Sequence, residues 1–186
     1  MGKLQTLSFR AEQNCRVTGN SAESRNLFLH LQVADAYRQG DKVFLGDMPP
    51  PILLYDGVCG LCNRFVQFTL RHDRRATFRF AALQSPLASQ ILARHSVSPS
   101  DLDTVYVVLN PSQPDESLLA RSDAVLFVLH QFGGIWRPAA LAFRLVPRAL
   151  RNWVYRLVAR NRYQLFGRYD TCPLPSESTR ARFLDL

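Results

Sequence analysis

Cys59 and Cys62 stand three residues apart in ILLYDGVCGLCNRFVQF, Ile52–Phe68, with Asp56, Gly57 and Gly60 around them. That spacing brings two side chains back to one side of a helix after nearly a full turn. Only a thiolate attacks a disulfide, so the first cysteine of a redox pair must be exposed and its anion stabilised. At the mouth of a helix beginning near Gly60, unpaired N–H groups and the positive dipole end would favour the Cys59 anion. Cys62 could then attack a mixed disulfide from inside and close the Cys59–Cys62 bond. Gly57 and Gly60 would permit the tight entry and leave room for a substrate chain. Asp56 could accept the proton that Cys62 gives up, or it could only bond local N–H groups in an Asp-Gly turn. Two other uses of the pair stay open: half of a metal site, or two small core residues. A closed zinc site needs four ligands, and Cys15, Cys172, His72 and His95 are scattered along the chain. A Cys59–Cys62 disulfide closes too short a loop to add much stability.

The segments around the pair have regular punctuation. Ile52 to Tyr55 is a short apolar run ending at Asp-Gly, the pattern of a buried strand and a turn. Leu61 to Arg71 lacks glycine and proline and is long enough for about three helical turns. Thr77 to Ala81 alternates as a strand, and Pro86 to His95 predicts a helix with proline in its first turn. Thr104 to Leu109 is β-branched and aromatic, a strand, and Ser117 to Ala120 returns as its partner. Ser122 is expected to cap a helix that runs through Phe132 and ends at Gly133-Gly134. Helical segments follow at about Ala139–Leu145 and Arg148–Asn161. The fold class is therefore α/β, in the order β-α-β-α-β-β-α with a helical tail over 136–168. That is the order of the thioredoxin-like fold, with CxxC after the first strand and opening the first helix.

Residues 1–47 look different. Their charge is mixed, six basic and five acidic residues, and their apolar residues keep no period. We expect an extension here, partly disordered or carrying a short helix near Leu27–Tyr37, before a domain over 48–186. No apolar run approaches the ~18 residues of a membrane span, and no secretory signal pattern opens the chain. The expected compartment is therefore cytoplasmic, where a CxxC serves catalysis or metal binding more often than structure.

The formal net charge is +8, and Lys3 and Lys42 are the only lysines. From Arg137 to Arg168 there are eight arginines and no acid. Trp136, Leu141, Leu145, Leu150, Trp153, Val154 and Leu157 interleave with them. Such a segment suits weak contact with an anionic surface, but a helix packed on the sheet has the same pattern, and core packing is the expectation here.

YDGVCGLCN resembles the signature of the DCC family of thiol-disulfide oxidoreductases, named for the Asp, Cys and Cys matched by Asp56, Cys59 and Cys62. The likeness continues through FRFAALQSP, RSDAVLFVL, ARNRYQLFG and the Cys172-containing CPLP, about Ile52 to Leu184. It implies a thioredoxin-like domain and dithiol–disulfide exchange, with Cys59 as nucleophile and Cys62 as resolving thiol. A disulfide-containing protein or a small thiol would be the substrate, with an unspecified reductant. Thioredoxins hold substrate with a cis-proline before the third strand, and DLDTVYVV has no proline there. A substitute would be the start of the last core helix, where Ser122, Asp123 and nearby N–H groups could hold the carboxylate of a small thiol. Cys172 could be a third redox thiol or a small residue fixed by Pro173. No cofactor, bound metal or nucleic-acid partner is expected, and no phosphate-cradling glycine loop or Ser-His-Asp pattern is present. The alternatives are a zinc-stabilised interaction module and a non-catalytic binding protein on the same scaffold.

Overall fold

The computed structural model describes residues 49–98, 104–169 and 176–185. The expectations for residues 1–47, Cys15 and Cys172 fall outside them. The described elements are β1 (Ile52–Tyr55), α1 (Gly60–His72), β2 (Arg79–Ala82), α2 (Pro86–Arg94), β3 (Tyr106–Leu109), β4 (Ser117–Ala120), α3 (Arg121–Phe132), α4 (Trp136–Arg144), α5 (Arg148–Phe166) and α6 (Glu177–Arg180). The strands form a four-stranded sheet in the order β2-β1-β3-β4. β1 runs parallel to β2, with Leu53 opposite Phe80, and antiparallel to β3, with Leu53 opposite Val107. The fold is α/β and thioredoxin-like, as the element order implied.

β1 is buried along its whole length, because it has a strand on each side and helices on each face. Ile52, Leu54, Tyr106 and Val108 pack with Ala88, Ile91 and Leu92 of α2 on one face. Leu53 and Val107 point the other way by alternation and are also fully buried. α1 and α3 cover that side, and Phe127 of α3 meets Phe78 edge to face. Each buried Leu or Phe side chain contributes roughly 1.5–3 kcal/mol. The central strand that ends at Asp56 is thus the most firmly held part of the sheet.

Several expected boundaries move, each for a local reason. β2 begins at Arg79 rather than Thr77, because the Asp73 carboxylate accepts the Thr77 and Phe78 N–H groups at 3.1 and 3.0 Å and keeps them in the turn. α3 begins at Arg121, whose φ is 56°, with Ala120 at the N-cap and no side-chain cap. Ser122 is therefore not the capping residue. α5 continues past Asn161 to Phe166 and ends where Gly167 takes a φ of 76°, a conformation natural to glycine. The expected core packing of the tail is also overturned. Trp136 packs edge-on against Phe68 and His72, but Leu141, Leu145, Leu150, Trp153, Val154 and Leu157 are each at least 40% exposed.

One further contact has no local signal along the chain. The segment after α6 lies parallel to β2, with a bridge between Phe80 and Phe183, and Phe183 stacks on Phe80 at 5.1 Å. The Leu184 N–H bonds the Phe80 carbonyl at 2.9 Å, and Asp185 accepts the Ala82 N–H at 2.6 Å. An otherwise open sheet edge is thereby covered. Arg182 anchors the segment by an ion pair to Asp73. Asp73→Ala would leave two backbone N–H groups and Arg182 Nη2 without the acceptor they share. We expect a loss of about 3 kcal/mol in urea unfolding; an unchanged midpoint would show that this turn carries no stability.

Candidate functional site

The loop between β1 and α1 is fixed from several directions. Asp56 leaves the strand; its backbone carbonyl accepts the Cys59 N–H at 3.2 Å, and its Oδ1 accepts the Val58 N–H at 3.2 Å. Gln84, just after β2, donates to Asp56 Oδ1 at 2.8 Å and accepts the Gly57 N–H at 3.2 Å. Asn63 in the first turn of α1 donates back to the Gly57 and Cys59 carbonyls at 2.7 and 3.0 Å. The loop therefore has little freedom to reposition its thiols.

Cys59 is the N-cap of α1, and its Sγ accepts the Cys62 N–H at 3.4 Å. The Cys59 thiol is held down to about 6, chiefly by the hydrogen bond from the Cys62 thiol. Burial opposes the shift, while the first-turn N–H groups and the Arg162 charge add to it. Cys62 is pushed upward, first by giving its proton to that hydrogen bond and then by burial. The two shifts run in opposite directions and favour the anion on Cys59 over Cys62. The expectation of an exposed Cys59 is not met: it is fully buried, and Cys62 nearly so.

Cys59 is enclosed where the chain beyond α5 runs beside its loop. The Gly60 N–H bonds the Gly167 carbonyl at 3.1 Å, and the Tyr169 N–H bonds the Val58 carbonyl at 2.8 Å. Between them, Cys59 and Arg168 form an antiparallel bridge. A Cβ on Gly60 would lie 2.1 Å from the Phe166 carbonyl oxygen. The space that Gly60 was expected to leave for substrate is filled by this protein's own backbone.

The same helix reaches Asp56. Arg162 Nη2 donates to Asp56 Oδ2 at 3.0 Å, with both side chains almost fully buried. Tyr163 Oη donates to the same oxygen at 2.5 Å. With Val58 and Gln84 on the other oxygen, the carboxylate has four donors. The Tyr163 phenol is pushed up by burial and by its bond to Asp56.

Ser122 and Asp123 lie apart from this cluster, in contacts with α5. The Ser122 hydroxyl donates to Asn152 Oδ1 at 2.7 Å, and Asp123 pairs with Arg148 and Arg151, both at 2.9 Å. Both side chains proposed to hold a ligand's carboxylate are thus engaged by α5. Among the described residues, no group of three or more His, Cys, Asp or Glu side chains is placed to hold a metal. A cleft of about 560 Å³ opens beside α1, lined in part by Tyr55, Asn63, Arg64, Arg71, Tyr169 and Phe183. Through Asn63 and Tyr169 it borders the thiol loop.

Four residues of the site were not singled out for it in the sequence: Asn63, Gln84, Arg162 and Tyr163. Gln84 and the Arg-Tyr pair lay inside the FRFAALQSP and ARNRYQLFG motifs, and that recurrence was the available signal. Arg162→Met should cost about 3–5 kcal/mol, because Asp56 would keep a buried charge with no cation beside it. It should also move the Cys59 titration upward, since the Arg162 charge favours the thiolate. Equal stability and an unmoved titration would remove Arg162 from the site. In Gly60→Ala, the added methyl meets backbone rather than a movable side chain. We expect a loss of about 1–3 kcal/mol and faster alkylation of Cys59 as residues 166–169 are displaced. Alkylation at the original rate would show that this segment does not limit access.

Comparison with known proteins identifies the family. Residues 53–168 match a family model described as DCC1-like thiol-disulfide oxidoreductase. A chloroplastic DCC family protein of Arabidopsis thaliana is 35% identical over 173 residues, covering 93% of this chain and 95% of that protein. The uncharacterized protein YuxK of Bacillus subtilis is 36% identical over 137 residues, covering 74% of this chain and 96% of YuxK. No solved structure matches significantly. The match takes in the thiol loop, Gln84 and the Arg162-Tyr163 pair, and the chain belongs to the DCC1-like thiol-disulfide oxidoreductase family.

Proposed function

We propose that this protein exchanges dithiols and disulfides through Cys59 and Cys62. The observation that carries the proposal is the placement of the two thiols: Cys59 caps the N-terminus of α1, where its Sγ accepts the Cys62 N–H at 3.4 Å and the thiolate is favoured, and Cys62 follows in the first turn behind it, its thiol pushed upward. That is the preparation a nucleophile and a resolving thiol need.

In the reducing direction, Cys59 Sγ attacks one sulfur of a substrate disulfide. A Cys59–substrate S–S bond forms as the substrate's own S–S bond breaks, and the departing thiolate takes a proton from solvent. Cys62 then gives its proton to solvent and attacks Cys59 Sγ, forming the Cys59–Cys62 bond and expelling the second substrate thiolate, which is reprotonated from solvent. The protein dithiol gives two electrons to the substrate disulfide, and an external dithiol of matching potential restores it. Asp56 is a positioning residue in this scheme. Its carboxylate fixes the loop through Val58, Gln84, Arg162 and Tyr163 instead of standing free as a base.

Access requires the chain at 167–169 to move off the loop. The cleft beside α1 is the natural approach, because Tyr169 both lines it and pins Val58. Arg64 and Arg71 on its wall suit a substrate bearing carboxylates, whether a small thiol or an acidic peptide.

Thiol trapping across a glutathione redox series, read by intact mass, tests the proposal, with Cys15→Ser and Cys172→Ser as controls. We expect a two-electron transition between Cys59 and Cys62, with a midpoint between about −270 and −120 mV. Failure of the pair to oxidise anywhere in the series would end the redox reading. Alkylation of Cys59 should accelerate as pH rises through about 6. In Cys62→Ala that midpoint should move upward, because the principal stabilising hydrogen bond is gone. The linked stability has a definite sign. Folding lowers the Cys59 pKa, so the thiolate's contribution is complete above the unfolded thiol value and is lost as pH falls through about 6.

A further inference from the structure

α5 is amphipathic in an unusual sense. Its inward side, Asn152, Tyr155, Ala159, Arg162 and Phe166 at three- and four-residue spacing, carries the polar contacts. Asn152 meets Ser122, Tyr155 Oη accepts the Val105 N–H at 2.9 Å, and Arg162 meets Asp56. The outward side carries Leu150, Trp153, Val154, Leu157, Val158 and Leu165, between 37% and 67% exposed. Leu150 to Val158 recur at the same helical spacing as one apolar stripe, and Leu165 lies on the same face beyond Asn161. Soluble monomers rarely leave such a stripe open without a use for it. Exposed Arg156 and Arg160 accompany it, and α5 contains no acid.

We propose that the outward face of α5 docks on an anionic lipid surface, with its leucines, valines and Trp153 at the acyl boundary and Arg156 and Arg160 against headgroup phosphates. Charge selects this occupant over a second copy. Face-to-face pairing of two α5 helices would bring arginines together with no acid on either helix, whereas an anionic bilayer supplies the missing charge. No helix among the described residues is long and apolar enough to cross a membrane, so the helix would lie in the interfacial plane. Trp153 has the amphipathic ring favoured at that depth. In this position the membrane meets the side of α5 opposite Arg162, and the thiol loop stays off the bilayer.

The test is sedimentation of the full chain with vesicles of equal parts phosphatidylcholine and phosphatidylglycerol, beside phosphatidylcholine alone. We expect binding to the anionic vesicles only, loss of that binding at high salt, and a blue shift of Trp153 emission in a Trp136→Phe background. Arg156→Glu combined with Arg160→Glu should weaken partitioning about tenfold or more, and Leu157→Asp should abolish the blue shift. These positions are exposed, and unchanged circular dichroism would confirm that the variants fold. Absence of binding to anionic vesicles would overturn the proposal, as would equal, salt-insensitive binding to neutral ones. A concentration-dependent dimer that Leu157→Asp dissolves, with no vesicle binding, would assign the face to a second copy instead.

Discussion

The buried ion pair between Asp56 and Arg162 joins the two ends of this domain's working region. The residues are 106 positions apart, and their charged atoms meet at 3.0 Å with almost no solvent contact. Burying either charge alone is costly, because desolvation goes uncompensated; together, and with Tyr163, Gln84 and the Val58 N–H, they satisfy each other. The consequence is geometric. Asp56 fixes where β1 becomes the thiol loop, Arg162 fixes where α5 crosses that loop, and neither can shift without exposing the other's charge.

The properties of the thiols follow from that arrangement. A cysteine buried as deeply as Cys59 would ordinarily resist ionisation. Here the Cys62 thiol, the first N–H groups of α1 and the Arg162 charge outweigh burial. Arg162 thus acts twice, once on the carboxylate that shapes the loop and once on the sulfur that the loop presents. The chain beyond α5 completes the enclosure by bonding to Val58 and Gly60. A thiol whose pKa is lowered is also the one most open to oxidation, and here it is covered by backbone.

The orientation of α5 depends on the same contacts. Ion pairs to Asp56 and Asp123 and hydrogen bonds to Ser122 and Val105 turn its polar side inward. The apolar stripe is left outside as a result. A pattern of helical period reports that two faces differ, but not which of them meets the protein. That is why core packing was a reasonable expectation for the tail and was wrong.

Much of the fold was legible in the sequence because its signals are local. Short apolar runs bounded by Asp-Gly, Pro and Gly-Gly marked the strands and helices. The three-residue interval from Cys59 to Cys62 set their shared helix turn, and the place of that interval after β1 matched the family to which the chain belongs. Boundaries failed where a side chain from elsewhere took a backbone group, as Asp73 does with Thr77 and Phe78. The partners of Asp56, the enclosure of Cys59, the engagement of Ser122 with α5 and the outward turn of the apolar stripe were decided only by tertiary structure. Each depends on residues far apart in the chain competing for one buried charge or one hydrogen bond. Spacing along the sequence records which groups need partners, and folding determines which partners they find.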